Sequence, residues 1–321
     1  METLNTVLVL ASGDDPQLAM LDGVPHTVCR EASACASAAR EATAILQWTG
    51  TNEMLRAAFN AGPKVRWVHS RAAGLDKLWF PALMESDVVV TNGRGVFSTS
   101  LGEFVLGAIL YFAKDFRRII RNQNAGRWEP FEVEEIAGQT VGIVGYGDIG
   151  RAVATRVRAL GMHVLATRRH IPKDADPPDP LVDQYYRPEN LRELLARCDY
   201  VVATAPLTAE TRHMISDAEF AAMKPTAVII NVGRGPVIDE KALVQALTSR
   251  RIKGAGLDVF EREPLPAGDA LWGLENVLLS PHCADHTATW QDQAMRFFLE
   301  QYARFENGEP LKNVVNKRLG Y

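Results

Sequence analysis

The 321-residue chain contains no apolar run of the roughly 18 residues that a membrane-spanning helix needs. It also lacks a basic excess. Lys and Arg total 35 against 39 Asp and Glu, a net charge of −4, which excludes a surface built for nucleic acid or anionic lipid. Cysteine is scarce: four residues, at 29, 35, 198 and 283, with no CxxC pair. A chain of this size needs no stapling, so reduced thiols in a cytoplasmic protein are expected. The opening METLNTVLVLASGDD has neither the basic segment nor the small-residue cleavage site of a signal peptide, and its VLVL run reads as a first buried strand. Repeats and low-complexity tracts are missing too. The one biased stretch is PKDADPPDP, residues 172–180, whose prolines exclude regular structure and suggest a surface loop after a strand.

What is present is a series of short apolar runs. They are Thr6–Ala11, Ala44–Trp48, Val65–His69, Val88–Thr91, Thr140–Val144, His163–Ala166, Tyr200–Ala203, Ala227–Asn231, Gly254–Val259 and Val277–Leu279. They are continuously apolar rather than alternating, as strands of a parallel sheet covered on both faces must be. Helical patterns separate most of them, which predicts α/β architecture. A long apolar-rich helix is predicted over Leu101–Arg121 and another from about Thr287 to Glu306.

Val141-Gly-Ile-Val leads into Gly145-Tyr-Gly147-Asp-Ile-Gly150 and then into RAVATRVRAL, which has helical spacing. A strand, a GxGxxG turn and a helix in that order form a dinucleotide-binding unit. The first glycine permits the turn, the second admits a pyrophosphate to the backbone, and the third lets helix and strand pack closely. The helix N-terminus, at Asp148 and Ile149, offers amide donors to the phosphates. About twenty residues beyond such a turn, NAD-specific units carry an acid for the ribose 2′-hydroxyl. That acid is missing: the chain has Thr167, Arg168 and Arg169 there. A guanidinium in that place binds a 2′-phosphate and removes the acceptor that NAD uses, so NADP(H) is expected over NAD(H).

Three later segments place polar residues after strands, where ligands of open α/β sheets bind. They are Asn231-Val-Gly-Arg-Gly235, Gly256-Leu-Asp-Val-Phe260 with Glu263-Pro-Leu-Pro266, and Ser280-Pro-His282. With these on view, the chain resembles the D-isomer-specific 2-hydroxyacid dehydrogenases over nearly its whole length. Ala72-Ala-Gly-Leu-Asp76 looks like the family's substrate loop, and Ala205-Pro-Leu-Thr with Glu210-Thr211 like its adenine-side loop. Asn307-Gly-Glu-Pro310 is similar to its C-terminal ending. Any one block is weak; the ordered set is specific.

The resemblance implies two Rossmann-like or flavodoxin-like domains with doubly wound parallel sheets and an active-site cleft between them. Residues 1–99 and 288–321 would form the substrate-binding domain, with the dinucleotide domain, 100–287, inserted in it. The implied activity is reduction of a 2-oxo acid by hydride transfer. His282 would act as general acid, oriented by Glu263 on its other ring nitrogen, while Arg234 grips the substrate carboxylate and carbonyl. The amides of Ala73 and Gly74 would hold the carboxylate's other side, and Asp258 would accept from the nicotinamide carboxamide. Ala205, Pro206, Thr211, Val232 and Gly233 would line the cofactor.

Glyoxylate or hydroxypyruvate is the expected substrate, with bulkier 2-oxo acids such as phenylpyruvate or 2-oxoisocaproate as the alternative. Phosphoglycerate dehydrogenase is disfavoured, because the chain ends soon after residue 310 and that activity usually uses NAD. Formate dehydrogenase is disfavoured because it lacks the Glu–His pair. The alternative of another class is a non-catalytic nucleotide-sensing scaffold. No metal and no nucleic-acid partner is expected. The region around residues 100–130 is expected to form a homodimer interface. Trp128 lies where some members reach toward the partner subunit's active site, although core or interface packing is the plainer reading. Trp48 and Trp290 are candidates for bounding the substrate pocket, and Cys283 for lining it as a small apolar residue.

Overall fold

The computed structural model describes residues 5–171 and 179–320, so most of the proline-rich stretch at 172–180 lies outside the described residues. The chain divides into two compact units, Met1–Phe97 with Ala288–Tyr321, and Ser98–Thr287.

The first unit has a five-stranded parallel sheet of order β2-β1-β3-β4-β5. Its strands are β1 Val7–Leu10, β2 His26–Cys29, β3 Ala44–Gln47, β4 Trp67–Ser70 and β5 Val89–Asn92. The connecting helices are α1 Ala32–Ala38, α2 Asn52–Ala61 and α3 Pro81–Glu85. Thr51 caps α2 by accepting from the Met54 amide at 3.3 Å, and Pro81 opens α3, where a missing N–H costs nothing.

The second unit has a seven-stranded parallel sheet of order β12-β11-β10-β9-β6-β7-β8. Its helices are α4 Ser98–Ala113, α5 Phe116–Asn124, α6 Asp148–Ala159, α7 Leu191–Leu195, α8 Asp217–Ala222 and α9 Glu240–Thr248. The strands are β6 Thr140–Val144, β7 His163–Thr167, β8 Gln184–Tyr186, β9 Tyr200–Ala203, β10 Val228–Asn231, β11 Gly254–Leu257 and β12 Val277–Leu279. Strand order reverses between β6 and β9, the switch point at which such sheets bind nucleotides. The last helix, α10 Trp290–Glu306, belongs again to the first unit.

Three sequence expectations are corrected. The helix expected to run unbroken over Leu101–Arg121 is two helices. Asp115 adopts a left-handed backbone, φ 47°, and its carboxylate caps α5 by accepting from the Arg118 amide at 3.2 Å. The cysteines are not all reduced thiols. Cys29 at the end of β2 and Cys35 in α1 form a disulfide across the strand–helix corner, with Cα atoms 5.6 Å apart. Cys198 and Cys283 are free, and burial pushes the Cys198 thiol up to about 12. Two strands, β2 and β8, were not anticipated. Both are sheet edges of polar composition, HTVC and QYY, and so lack the continuous apolar run of strands paired on both sides.

The first unit's core contains a buried polar chain. Trp67 stacks on Phe298 of α10 at 5.5 Å and donates its Nε1–H to Thr91 Oγ1 at 2.8 Å. That leaves the Thr91 hydroxyl proton for His69 Nδ1, also at 2.8 Å. His69 is buried, and burial pushes its pKa down to about 3. A histidine held neutral inside, but free to protonate in the unfolded chain, favours folding above pH 6.5 and withdraws that support as pH falls toward 3. The span corresponds to at most about 5 kcal/mol. Chemical denaturation between pH 7 and pH 4 should therefore show stability falling with pH, and His69→Asn should flatten the slope. An unchanged slope in the variant would remove His69 from the account.

Candidate active site

The glycine turn lies between β6 and α6. Gly145 has φ +96°, and a Cβ there would lie 2.6 Å from the Cα of Ala205 on the loop after β9. Only glycine fits between the two loops. The Gly145 carbonyl accepts from Thr204 Oγ1 at 2.7 Å. Gly147 caps α6 without a side chain to occupy the first-turn amides, and a Cβ there would meet nothing within 4 Å. Asp148 and Ile149 open the helix, and Gly150 is buried against Ile143. The open amides and the space above them fit a dinucleotide pyrophosphate.

At the end of β7 the three residues noted in the sequence have different surroundings. Thr167 is buried, and its Oγ1 accepts the Gly145 amide at 2.9 Å, so it shapes the turn instead of presenting a free hydroxyl. Arg169 pairs with Glu210. Arg168 is exposed, with its backbone amide donated to Tyr186 at 3.0 Å. Beside them, Asp179 accepts from the Tyr146 hydroxyl at 2.9 Å and pairs with Arg151. Burial and that carboxylate raise the Tyr146 pKa well above its ordinary value. Pro206 and Thr211 close the loop after β9: Thr211 Oγ1 donates to the Pro206 carbonyl at 2.6 Å and accepts the Thr208 amide at 2.8 Å.

The turn after β10 is built by Asn231, a buried residue whose structural part the sequence did not reveal. Its Oδ1 accepts the Gly233 amide at 3.1 Å and its Nδ2 donates to the Arg234 carbonyl at 3.1 Å. Val232 is buried, and a Cβ on Gly233 would stand 3.1 Å from the Ala205 carbonyl oxygen. The Arg234 guanidinium donates to the Gly233 carbonyl at 2.8 Å. Next to it, a Cβ on Gly235 would lie 1.9 Å from the backbone carbon of Phe260, so the Arg234 turn and the Glu263 loop meet backbone to backbone.

Asp258 follows β11 and is 1% exposed. Its Oδ1 accepts from Ser280 Oγ at 2.6 Å, the Cys283 amide at 2.9 Å and the Ala284 amide at 3.0 Å. These bonds fasten the loop after β12, in which His282 has φ 51°. The His282 side chain, 44% exposed, places Nδ1 2.8 Å from Glu263 Oε2. The other Glu263 oxygen accepts the Phe260 amide at 3.0 Å. With Nδ1–H donated to the carboxylate, Nε2 faces away and is the ring atom available for proton exchange. Asp285, two residues beyond Cys283, has its carboxyl raised by burial. The exposed Cys283 thiol lies 3.5 Å from Ser280 Oγ.

Ala73, Gly74, Trp48 and Trp290 belong to the first unit. The Ala73 carbonyl accepts from Asn92 Nδ2 at 2.6 Å, which holds the Ala73–Gly74 loop. Trp48 is buried and donates to Asp15 at 2.6 Å. The Arg71 guanidinium lies 5.0 Å from the Trp48 ring and 4.8 Å from that of Trp290. Trp128, in the second unit, is 98% exposed, which argues against core packing within the chain.

Residues 106–284 match the family profile described as the NAD-binding domain of D-isomer-specific 2-hydroxyacid dehydrogenases. A glyoxylate reductase of Korarchaeum cryptofilum is 36% identical over 271 residues, 81% of this chain and 79% of the relative. A D-isomer-specific 2-hydroxyacid dehydrogenase of Xanthobacter autotrophicus, solved with NADPH and MES, superposes with a TM-score of 0.82 at 31% identity, covering 99% of each chain. An NADPH-dependent glyoxylate/hydroxypyruvate reductase of Sinorhizobium meliloti, solved with NADP and sulfate, has a TM-score of 0.82 at 26% identity over 99% of this chain and 100% of that one.

The contact at Gly235 makes a strong prediction. The obstruction facing a new Cβ is backbone, which cannot swing aside. Gly235→Ala should cost about 3 kcal/mol, or roughly 5–10 °C of melting temperature for a unit of this size. A melting temperature within a degree of the parent would show that the two loops are not in contact.

Proposed function

Because the chain belongs to the D-isomer-specific 2-hydroxyacid dehydrogenases, we propose that it reduces short 2-oxo acids, glyoxylate or hydroxypyruvate, with NADPH. The product is the 2-hydroxy acid, of D configuration where the carbon is chiral. The observation that carries this reading is the Glu263–His282 pair at 2.8 Å, which engages Nδ1 and leaves Nε2 of an exposed imidazole for proton exchange.

The nicotinamide ring, when bound, supplies the hydride to the carbonyl carbon. The rest falls to the chain. Arg234 binds the carboxylate and carbonyl oxygen of the substrate through its planar donors and fixes the carbon's orientation. His282, as the imidazolium with its Nδ1–H held by Glu263, delivers the Nε2 proton to the carbonyl oxygen as negative charge develops there, and recovers one from solvent. Glu263 holds the ring in the tautomer and orientation this needs. Asp258 engages the loop's donors through Oδ1, so a carboxamide contact falls to Oδ2. The glycine turn, with Asp148 and Ile149 opening α6, receives the pyrophosphate.

The preference for NADPH rests on Arg168. It stands where an NAD-specific site carries an acid, and it is exposed while Arg169 is paired with Glu210. The relatives solved with NADPH or NADP support the same choice. We further propose self-association through the second unit, where Phe116, Ile119, Ile120 and Trp128 present apolar surface to solvent.

Four measurements test these assignments. A panel of 2-oxo acids run with NADPH and NADH should show glyoxylate or hydroxypyruvate turnover favouring NADPH. His282→Ala should lower kcat by about 10²–10⁴-fold with NADPH binding retained; lost cofactor binding would refute its acid role. Arg168→Asp should shift the ratio of kcat/KM values toward NADH by at least about tenfold, and an unchanged ratio would remove Arg168 from 2′-phosphate binding. Sedimentation equilibrium should give a dimer for the parent and a monomer for Ile120→Glu; a monomeric parent at micromolar concentration would end the proposal of self-association.

A further inference from the structure

We infer that Glu261 is a positioning residue which, with Glu240 and His213, locks the loop carrying Glu263 to the turn carrying Arg234. The inference rests on the roles proposed above for Arg234, Glu263 and His282. None of the three clamp residues is assigned contact with substrate or cofactor.

The clamp is a reciprocal exchange. Glu261 Oε1 accepts the Glu240 amide at 3.2 Å, and Glu240 Oε2 accepts the Glu261 amide at 3.1 Å. Each carboxylate thus holds the other residue's backbone. Glu240 is the first residue of α9, which Asp239 caps by accepting from the Ala242 amide at 3.1 Å. The Glu263 loop is therefore fastened to a capped helix end that begins just after the Arg234 turn. His213 adds a third tie. Its Nε2 lies 2.8 Å from Glu261 Oε1, and its backbone amide donates to the Pro236 carbonyl at 2.8 Å. One residue thus bridges the Arg234 turn by its backbone and the Glu263 loop by its side chain. Its own backbone is left-handed, φ 52°. The Gly235–Phe260 contact closes the fourth side.

The electrostatics run against a casual surface contact. Asp239, Glu240, Glu261 and Asp269 gather around the clamp, with His213 as the neighbouring base. Burial raises the Glu240 carboxyl, and the nearby Asp269 and Glu261 charges add to that effect. Like charges brought together in this way gain nothing from one another. Their shared feature is the backbone they hold. Hydride transfer needs the substrate grip and the proton donor at a fixed separation, and an error of about 1 Å can cost about 10²-fold in rate. A clamp between the two turns supplies that constraint.

The decisive comparison is Glu261→Ala against Glu261→Gln. Glutamine keeps an oxygen for the Glu240 amide and a polar head for His213; alanine keeps neither. In 15N-histidine-labelled protein, observed at a pH where imidazoles are neutral, His282 should show the Nδ1–H tautomer in the parent and in the glutamine variant. In Glu261→Ala it should relax to a mixture of both tautomers as Glu263 loosens. With glyoxylate and NADPH, the alanine variant should lose at least about tenfold in kcat and raise KM several-fold, while glutamine stays within about threefold of the parent. Glu240→Ala, which removes the acceptor of the Glu261 amide, should move both readouts in the same direction, and it decides the matter if Glu261→Ala does not fold. Folded alanine variants with a single His282 tautomer and parental kcat and KM would overturn the clamp. A parent that reduces no 2-oxo acid would overturn the proposed function instead, and the tautomer comparison would still decide the clamp.

Discussion

One buried carboxylate oxygen organises the acid end of the site. Asp258 Oδ1 accepts a hydroxyl and two backbone amides, all from residues 280–284. An ionised group at 1% exposure is costly unless its lost hydration is replaced, and three donors on one oxygen replace it. The same three bonds satisfy donors of a loop that is leaving the sheet, where its last strand bond is from the Ser280 amide to the Leu257 carbonyl at 2.8 Å. They flank His282 on both sides and help to hold it at φ 51°, a conformation that L residues enter only under constraint. The Glu263 pair then works on a ring whose backbone is already placed. The order of dependence runs from Asp258 to the loop, from the loop to the ring, and from the ring to its tautomer.

Parallel topology explains why so many polar groups arrive together. Every strand pairing in the second unit's sheet is parallel, so every strand ends on the same edge. The glycine turn after β6, the Ala205 loop after β9, the Arg234 turn after β10, Asp258 after β11 and His282 after β12 lie along it in that spatial order. Neighbouring loops then fasten one another. Thr204 and Ala205 bound Gly145, Gly233 packs under Ala205, Gly235 meets Phe260, and Asp258 holds Ser280. The glycines stand where adjacent loops would otherwise collide, so their spacing in sequence reflects strand order in space.

Much of this was legible in the sequence, for a physical reason. Strands buried on both faces must be apolar throughout, and the runs at 140–144, 200–203 and 227–231 could be read directly. The pairing of Glu263 with His282 could be read because both follow strands and appear in a recognisable order. Features that depend on proximity were hidden. Cys29 and Cys35 look unrelated until a strand–helix corner brings them together. The Asp115 break falls inside an unbroken apolar pattern and rests on one residue's backbone angle. His213 and Glu261 in loops, and Glu240 at the start of α9, are ordinary polar residues until β10 and β11 are placed side by side. The sequence marks which residues are buried and which loops are tight; it marks much less well which polar groups far apart in the chain will share one hydrogen bond.

The end of β7 shows the same limit within three adjacent residues. Read as a string, Thr167, Arg168 and Arg169 form one basic phosphate-binding patch. In space they divide three ways. The Thr167 side chain turns inward, where its oxygen supports the first glycine of the cofactor turn. Arg169 is engaged by the Glu210 carboxylate of the loop after β9, which ties that loop to the end of β7. Arg168 alone keeps an exposed side chain at the strand end. Charge that is already neutralised by a partner contributes little to a new anion, since the old pair must be broken first. The proposed preference for a phosphorylated cofactor therefore rests on the middle residue, while Thr167 and Arg169 are engaged in shaping and tying the neighbouring loops.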